Sequence, residues 1–200
     1  MSNLLPKLQK GAILTFDPNT GVKLSTIMLQ YNPETLTRSF KPQSVGDEPD
    51  RTEILRLKGP PIETIKCDLE IDATDQLAAS DPTAISVGIQ PQLAVLELLL
   101  YPSSTVLNTN ETLSLLGTIE ILPMETALTV FAWSKSRVTP VRITDLSITE
   151  DAFDLELNPI RAKVSLGMRV LNVNDVGFLT PAGSLYMIYQ TTKESLAQQA

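Results

Sequence analysis

Between residues 162 and 170, apolar and polar side chains alternate. Ala162, Val164, Leu166, Met168 and Val170 share one phase; Lys163, Ser165, Gly167 and Arg169 share the other. A strand sends successive side chains to opposite faces, so the pattern predicts a half-buried antiparallel strand. Upstream, Ile65, Cys67, Leu69 and Ile71 alternate in the same way with Thr64, Lys66, Asp68 and Glu70. Cys67 therefore reads as a small core residue. Val141 and Ile143 share a phase, whereas Leu146 and Ile148 fall one residue out of it. That slip predicts a β-bulge near Thr144 and Asp145. The segments GAILTFD and LSTIMLQYN flank the turn signal Asp17-Pro18-Asn19-Thr20-Gly21 and are expected to pair as a hairpin. ALTVFAW, residues 127–133, is apolar in both phases. It predicts a strand covered on both faces, with Trp133 in packing.

Helical periodicity is scarce. Gln90-Pro91-Gln92 followed by LAVLELLLY predicts a helix with proline in its first turn, stopped before Pro102, with Leu93, Leu96, Leu99 and Leu100 as its buried stripe. A second, short helix is expected over residues 184–197, as a docking arm or a frayed end. Residues 41–60 carry three prolines and read as a long, mobile polar loop; residues 103–126 read as a second loop region. Roughly seven strands against one or two helices predict a mainly β protein, an antiparallel β-barrel or sandwich with one packed helix and a short C-terminal helix. Residues 1–175 form the β domain and residues 176–200 a C-terminal arm.

Composition narrows the chemistry. The 200 residues carry a net charge of −7 and contain no histidine and one cysteine. Without histidine there is no Ser-His-Asp or Cys-His catalysis and no histidine metal site. One cysteine gives neither an internal disulfide nor a cysteine zinc cluster. An acidic pI near 4.6 argues against nucleic acid as a partner. The apolar run 93–100 is far short of the ~20 residues that span a bilayer, and no signal peptide is evident, so cytoplasmic synthesis without membrane contact is expected. Asp68, Glu70 and Asp72 read as a solvated strand face. No phosphate loop or nucleophile elbow occurs. No catalytic residue, cofactor or metal site is expected. Charge is uneven: +2 over residues 1–60, −11 over 61–157 and +2 over 158–200. This pattern suits either a solvated acidic surface or complementary faces in head-to-tail contact. Phe153-Asp154 is expected to end one strand and Asn158-Pro159 to turn the chain, with Asn158 at positive φ. Arg161 then starts the next strand, within reach of a carboxylate such as Asp154.

Five segments in order carry a resemblance: LQYNPETLTRSF, LKGPPIETIKCDLEIDATD, the helix before Tyr101-Pro102, ALTVFAWSK, and ITDLSITEDAFDLELNPIRAKVSLGM. Together they are similar to the tube-like N-terminal domain of contractile injection system proteins that join inner tube to spike, relatives of phage baseplate hub and tail-tube proteins. The tetrad Arg161-Ala162-Lys163-Val164 is the most specific piece, and the likeness covers about residues 11–175. Leu157-Asn158-Pro159 stands where the family usually has glycine before x-Pro. The LysM module that often follows in the family is lacking before Ala200, so a bracing role is not expected.

The resemblance implies a non-enzymatic adaptor: a homo-oligomeric, hexameric ring with a continuous inner β-barrel, between the inner tube protein and the spike or hub protein of a baseplate. Sheath or baseplate wedge proteins are further partners it implies. The hairpin from Arg38 to Leu57 would reach the next ring or the spike. Lys163, Ser165 and Arg169 would line the lumen or a subunit seam. Expected at subunit or axial interfaces are Arg38, Arg51, Arg56, Asp154, Arg161, Lys163 and Arg169. A repeating inner-tube subunit is the near alternative. A monomeric ligand-binding β-barrel and a hydrolase using carboxylates alone are the other readings.

Overall fold

The structure, a computed structural model, describes residues 9–18, 20–44, 56–115 and 126–200. In chain order the elements are β1 (Ala12–Phe16), β2 (Lys23–Met28), β3 (Leu36–Ser44), β4 (Leu57–Asp72), α1 (Thr74–Ala78), α2 (Pro82–Val87), α3 (Gln90–Glu97), α4 (Ser104–Leu115), β5 (Leu128–Ser134), β6 (Arg137–Phe153), β7 (Pro159–Val170), α5 (Val173–Val176) and α6 (Pro181–Ala197). The seven strands form one antiparallel sheet in the order β2-β1-β5-β6-β7-β4-β3. The mainly β antiparallel class is as expected, but β2 and β3 do not pair, so the barrel is not closed.

The period-two segments become the strands they predicted. Ala162, Val164, Leu166 and Met168 of β7 are buried beside Ile65, Cys67, Leu69 and Ile71 of β4. β1 and β2 form the expected hairpin, with Gly21 at φ +70 donating its N–H to the Asp17 carbonyl at 2.9 Å. β5 lies between β1 and β6 and is covered on both faces at its start: Phe131 faces the main core, whereas Leu128 and Val130 face a second cluster with Ala182 of α6. Trp133 stacks on Phe131 with ring centroids 6.1 Å apart. The register of β6 against β7 shifts between Ile143 and Asp145, where the phase slip placed the bulge. Gly167 sits opposite it: a Cβ there would stand 3.1 Å from the Asp145 Cβ and press on the bulge.

Helices depart from expectation. α1, α2, α4 and α5 are additional, and residues 104–115 are helix where a loop was expected. That window, rich in Ser, Thr and Asn, has no buried residue to impose a helical apolar stripe. α2 is started by Asp81, whose carboxylate accepts from the Thr83 and Ala84 N–H groups at 2.9 Å, ahead of Pro82. α3 ends at Glu97, so Leu93 and Leu96 are buried while Leu100 lies outside the helix and is exposed. Gly88, at φ +59, lies against the Pro159 carbonyl with no room for a Cβ, which seats α2 and α3 at the start of β7. α6 begins at Pro181, not residue 184, and buries Ala182, Tyr186 and Tyr189. Of the expected 41–60 loop, residues 41–44 and 57–60 belong to β3 and β4; residues 45–55 lie outside the described residues.

Candidate functional site

Three strands are much longer than the rest: β4 has 16 residues, β6 has 17 and β7 has 12. β5 pairs with β6 only up to Val141, so from Arg142 to Phe153 one edge of β6 has no strand of the described residues beside it. At the opposite side, β3 pairs with β4 and ends the sheet. Among the described residues the half-sheet β6-β7-β4-β3 therefore has two free edges, running in opposite directions because every neighbouring pair is antiparallel.

Its outward face follows from register. Glu70, Lys163 and Thr149 form one cross-strand row, and Asp68, Ser165 and Ser147 form the next. All six side chains are exposed. Lys163 reaches Asp151 at 3.6 Å, an exposed ion pair worth little stability. The opposite face carries the core and the helices α2 and α3. One long-stranded surface is thus polar, mixing charged and small hydroxyl side chains, and its back is covered by helices.

The residues expected at interfaces fall into distinct settings. Arg38 does not face the open surface. Register pairs it with Ile65, on the core side. There its Nη2 and Nε donate to Glu63 Oε1 at 2.7 and 2.9 Å, and Nη2 also donates to the Tyr189 hydroxyl at 2.6 Å. The Tyr189 hydroxyl in turn donates to Glu63 Oε1 at 2.9 Å, and Lys193 Nζ stands 3.9 Å from Oε2. Glu63 is only 4 % exposed, so this charge is kept inside by its partners. Burial, and next the Glu63 charge, push the Tyr189 hydroxyl up to about 12; burial lowers the Lys193 ammonium. The cluster ties β3, β4 and α6 together.

Arg161 does not pair with Asp154. Its Nε donates to Asp72 Oδ2 at 2.6 Å, because Asp72 stands directly opposite it on β4. Hydrogen bonds from Thr74, and then Arg161, hold the Asp72 carboxyl below its ordinary value. Asp154 instead organises the β6–β7 turn. Its Oδ1 accepts from the N–H groups of Glu156 and Asn158, both at 2.8 Å, and its Oδ2 from the Asn158 side chain at 2.9 Å. Those Asn158 bonds lower its pKa. The positive φ of this turn belongs to Leu157, at +66, and not to Asn158. Arg169 donates to Asp175 at 2.6 Å, fixing the end of β7 to α5. Arg56 is exposed on the approach to β4, and Arg51 lies outside the described residues.

The Glu63 cluster is the feature that sequence reading missed. A signal exists: Glu63 falls in phase with Ile65 and Cys67, an acid at an inward strand position. Cys67 is buried, and burial with the neighbouring Asp68 charge raises its thiol to about 11, so it is inert at neutral pH. Among the described residues no group of three metal-binding side chains converges, and no helix is long and apolar enough to cross a membrane. Compared with known proteins, the chain matches no family model and no curated protein.

Proposed function

We propose that the chain is a non-enzymatic structural subunit of a contractile injection particle, forming a ring that connects the inner tube to the spike hub of the baseplate. The observation that carries this is the half-sheet β6-β7-β4-β3 with its two free edges. Long unpaired edges invite pairing, and closure into a ring is the arrangement that removes them. With an even number of strands per copy, the β3 edge of one copy meets the β6 edge of the next in antiparallel sense. The contact is head-to-tail, and a rotation that closes gives a ring. Six copies, the number the family resemblance implies, would close a barrel with more strands than the roughly 16–18 that already leave an aqueous channel. Ser147, Thr149, Lys163, Ser165 and Glu70 would line it, and the helices would lie outside. In this reading the inner tube protein stacks on one rim and the spike or hub protein on the other, with sheath or wedge proteins around the outside.

The test is the mass of the native assembly, with cysteine cross-linking of Ser39→Cys against Thr149→Cys across the seam. The reading expects six times the 21.9 kDa chain mass and cross-links between copies. A monomer at every concentration, with no cross-link, overturns it. Copy number per particle separates the adaptor ring from the repeating inner-tube subunit, which shares the same edges.

A further inference from the structure

Among the described residues, a second set of unpaired edges lies elsewhere in the sheet, between β2 and the far end of β4. Leu29 donates its N–H to the Gly11 carbonyl at 3.0 Å, toward β1. The main-chain groups of Thr26 and Met28, one residue out of phase, therefore point away from β1. On β4, Ala73 donates to the Ile160 carbonyl at 2.9 Å, toward β7, so those of Asp72 and Glu70 point away from β7. β3 pairs with β4 no further than Cys67 and does not reach this stretch.

Both edges border one groove of about 360 Å³, with Val95 and Leu96 of α3 along one wall. At one end of it the Gln30 side chain bridges the gap. Its Nε2 donates to the Asp72 carbonyl at 2.6 Å, and the Asp72 N–H donates to its Oε1 at 3.0 Å. A side-chain amide thus makes the donor–acceptor pair that a peptide group of a neighbouring strand would make. Beyond that clasp, no strand of the described residues lies beside Thr26, Met28 or Glu70.

We propose that this groove takes an extended segment of a partner protein by strand addition. The segment continues the Gln30 clasp, exchanging main-chain hydrogen bonds with Thr26, Met28 and Glu70. It places apolar side chains at alternate positions against Leu29, Leu69 and Leu96, and a basic residue near Glu70 and the exposed Asp68. A small apolar ligand would leave the main-chain groups of both walls unmet, and a helix has none to offer them. The groove uses neither the β3 nor the β6 edge, although Glu70 at its border also faces the proposed channel, so the two tests read different contacts.

The experiment selects displayed nonapeptides on the immobilised full-length protein, with counter-selection on Val95→Arg. Binding of the selected peptide is then measured with and without N-methylation of alternate amides. Expected are sequences with period-two apolar positions and a lysine or arginine, with binding weakened about tenfold or more by N-methylation and by Val95→Arg. The inference is overturned if no sequence is enriched, if helical spacing is enriched, or if N-methylation is tolerated. It is overturned too if the peptide binds only after residues 1–8 are deleted, for the groove would then be filled by the chain itself. A Val95→Arg protein that assembles normally yet loses the peptide keeps this result distinct from that of the ring.

Discussion

Replacing Tyr189 with Phe removes one hydroxyl and leaves the ring in place. In the folded chain that hydroxyl donates to Glu63 Oε1 at 2.9 Å and accepts from Arg38 Nη2 at 2.6 Å. Hydrogen bonds to charged groups contribute about 1.5–3 kcal/mol each, and Glu63 cannot turn to water to replace the lost one. Glu63 keeps both Arg38 bonds, and the partly exposed Arg38 can replace its lost acceptor with water, so the expected loss is about 2 kcal/mol, near one charged hydrogen bond. With an m-value of about 2 kcal/mol/M, the urea midpoint should fall by about 1 M. Both proteins must be compared at one concentration, since assembly adds stability by mass action. The exposed Tyr31→Phe serves as the control and should shift stability by less than about 0.5 kcal/mol. pH supplies a second readout. Below pH 10 both folded and unfolded Tyr189 hold their proton. Above it the unfolded chain releases the proton, whereas the folded chain keeps it up to about 12. Stability from this group is therefore lost as pH rises through that window, and the gap between wild type and Tyr189→Phe should narrow between pH 8 and pH 11. A Tyr189→Phe protein as stable as wild type at pH 8, with no narrowing at pH 11, would refute the claim that the cluster clamps α6 to the β3–β4 hairpin.

Three further outcomes follow from single positions. Leu157 holds φ +66 with its side chain 77 % exposed, so Leu157→Gly should relieve the left-handed strain and raise stability by about 0.5–1 kcal/mol, read as a Tm higher by a few degrees; an unchanged or lower Tm counts against strain in that turn. Asp72 has a depressed pKa, so its contribution is complete above its ordinary value of 3.8 and is lost as pH falls below it through the folded value. Asp72→Asn should flatten the acid side of the stability curve, and an unaltered slope would show that the bonds of this carboxylate to Thr74 and Arg161 are together energetically idle. Val164 is fully buried at the centre of β7, and Val164→Asp places a carboxylate in the core with no partner. The expected result is an unfolded or insoluble chain by circular dichroism, and a soluble folded protein would refute the strand assignment.

The alternation in residues 162–170 and 65–71, and the phase slip before Leu146, were enough to identify β7, β4 and the bulge in β6. The buried face of a strand is set by a period of two whatever lies next to it. α6 starts three residues before the expected Ser184, although Thr180-Pro181, an N-cap followed by proline, carries the signal. α4 was not legible, because none of its residues is buried and helical periodicity appears only when one face meets a core.

What the sequence by itself determined is the β class, the core faces of its long strands, the turns between them and the absence of histidine and disulfide chemistry. Only the tertiary structure decided which charges meet. Arg161 finds Asp72, 89 positions away, instead of nearby Asp154, and Glu63 gathers Arg38 and Tyr189 from two other elements. It also decided where the sheet of the described residues stays open, on β3, on β6 beyond Val141, and between β2 and β4. The physical reason is that side-chain periodicity is a local property of the chain, whereas hydrogen-bond partners across a sheet depend on which strands the whole fold brings side by side.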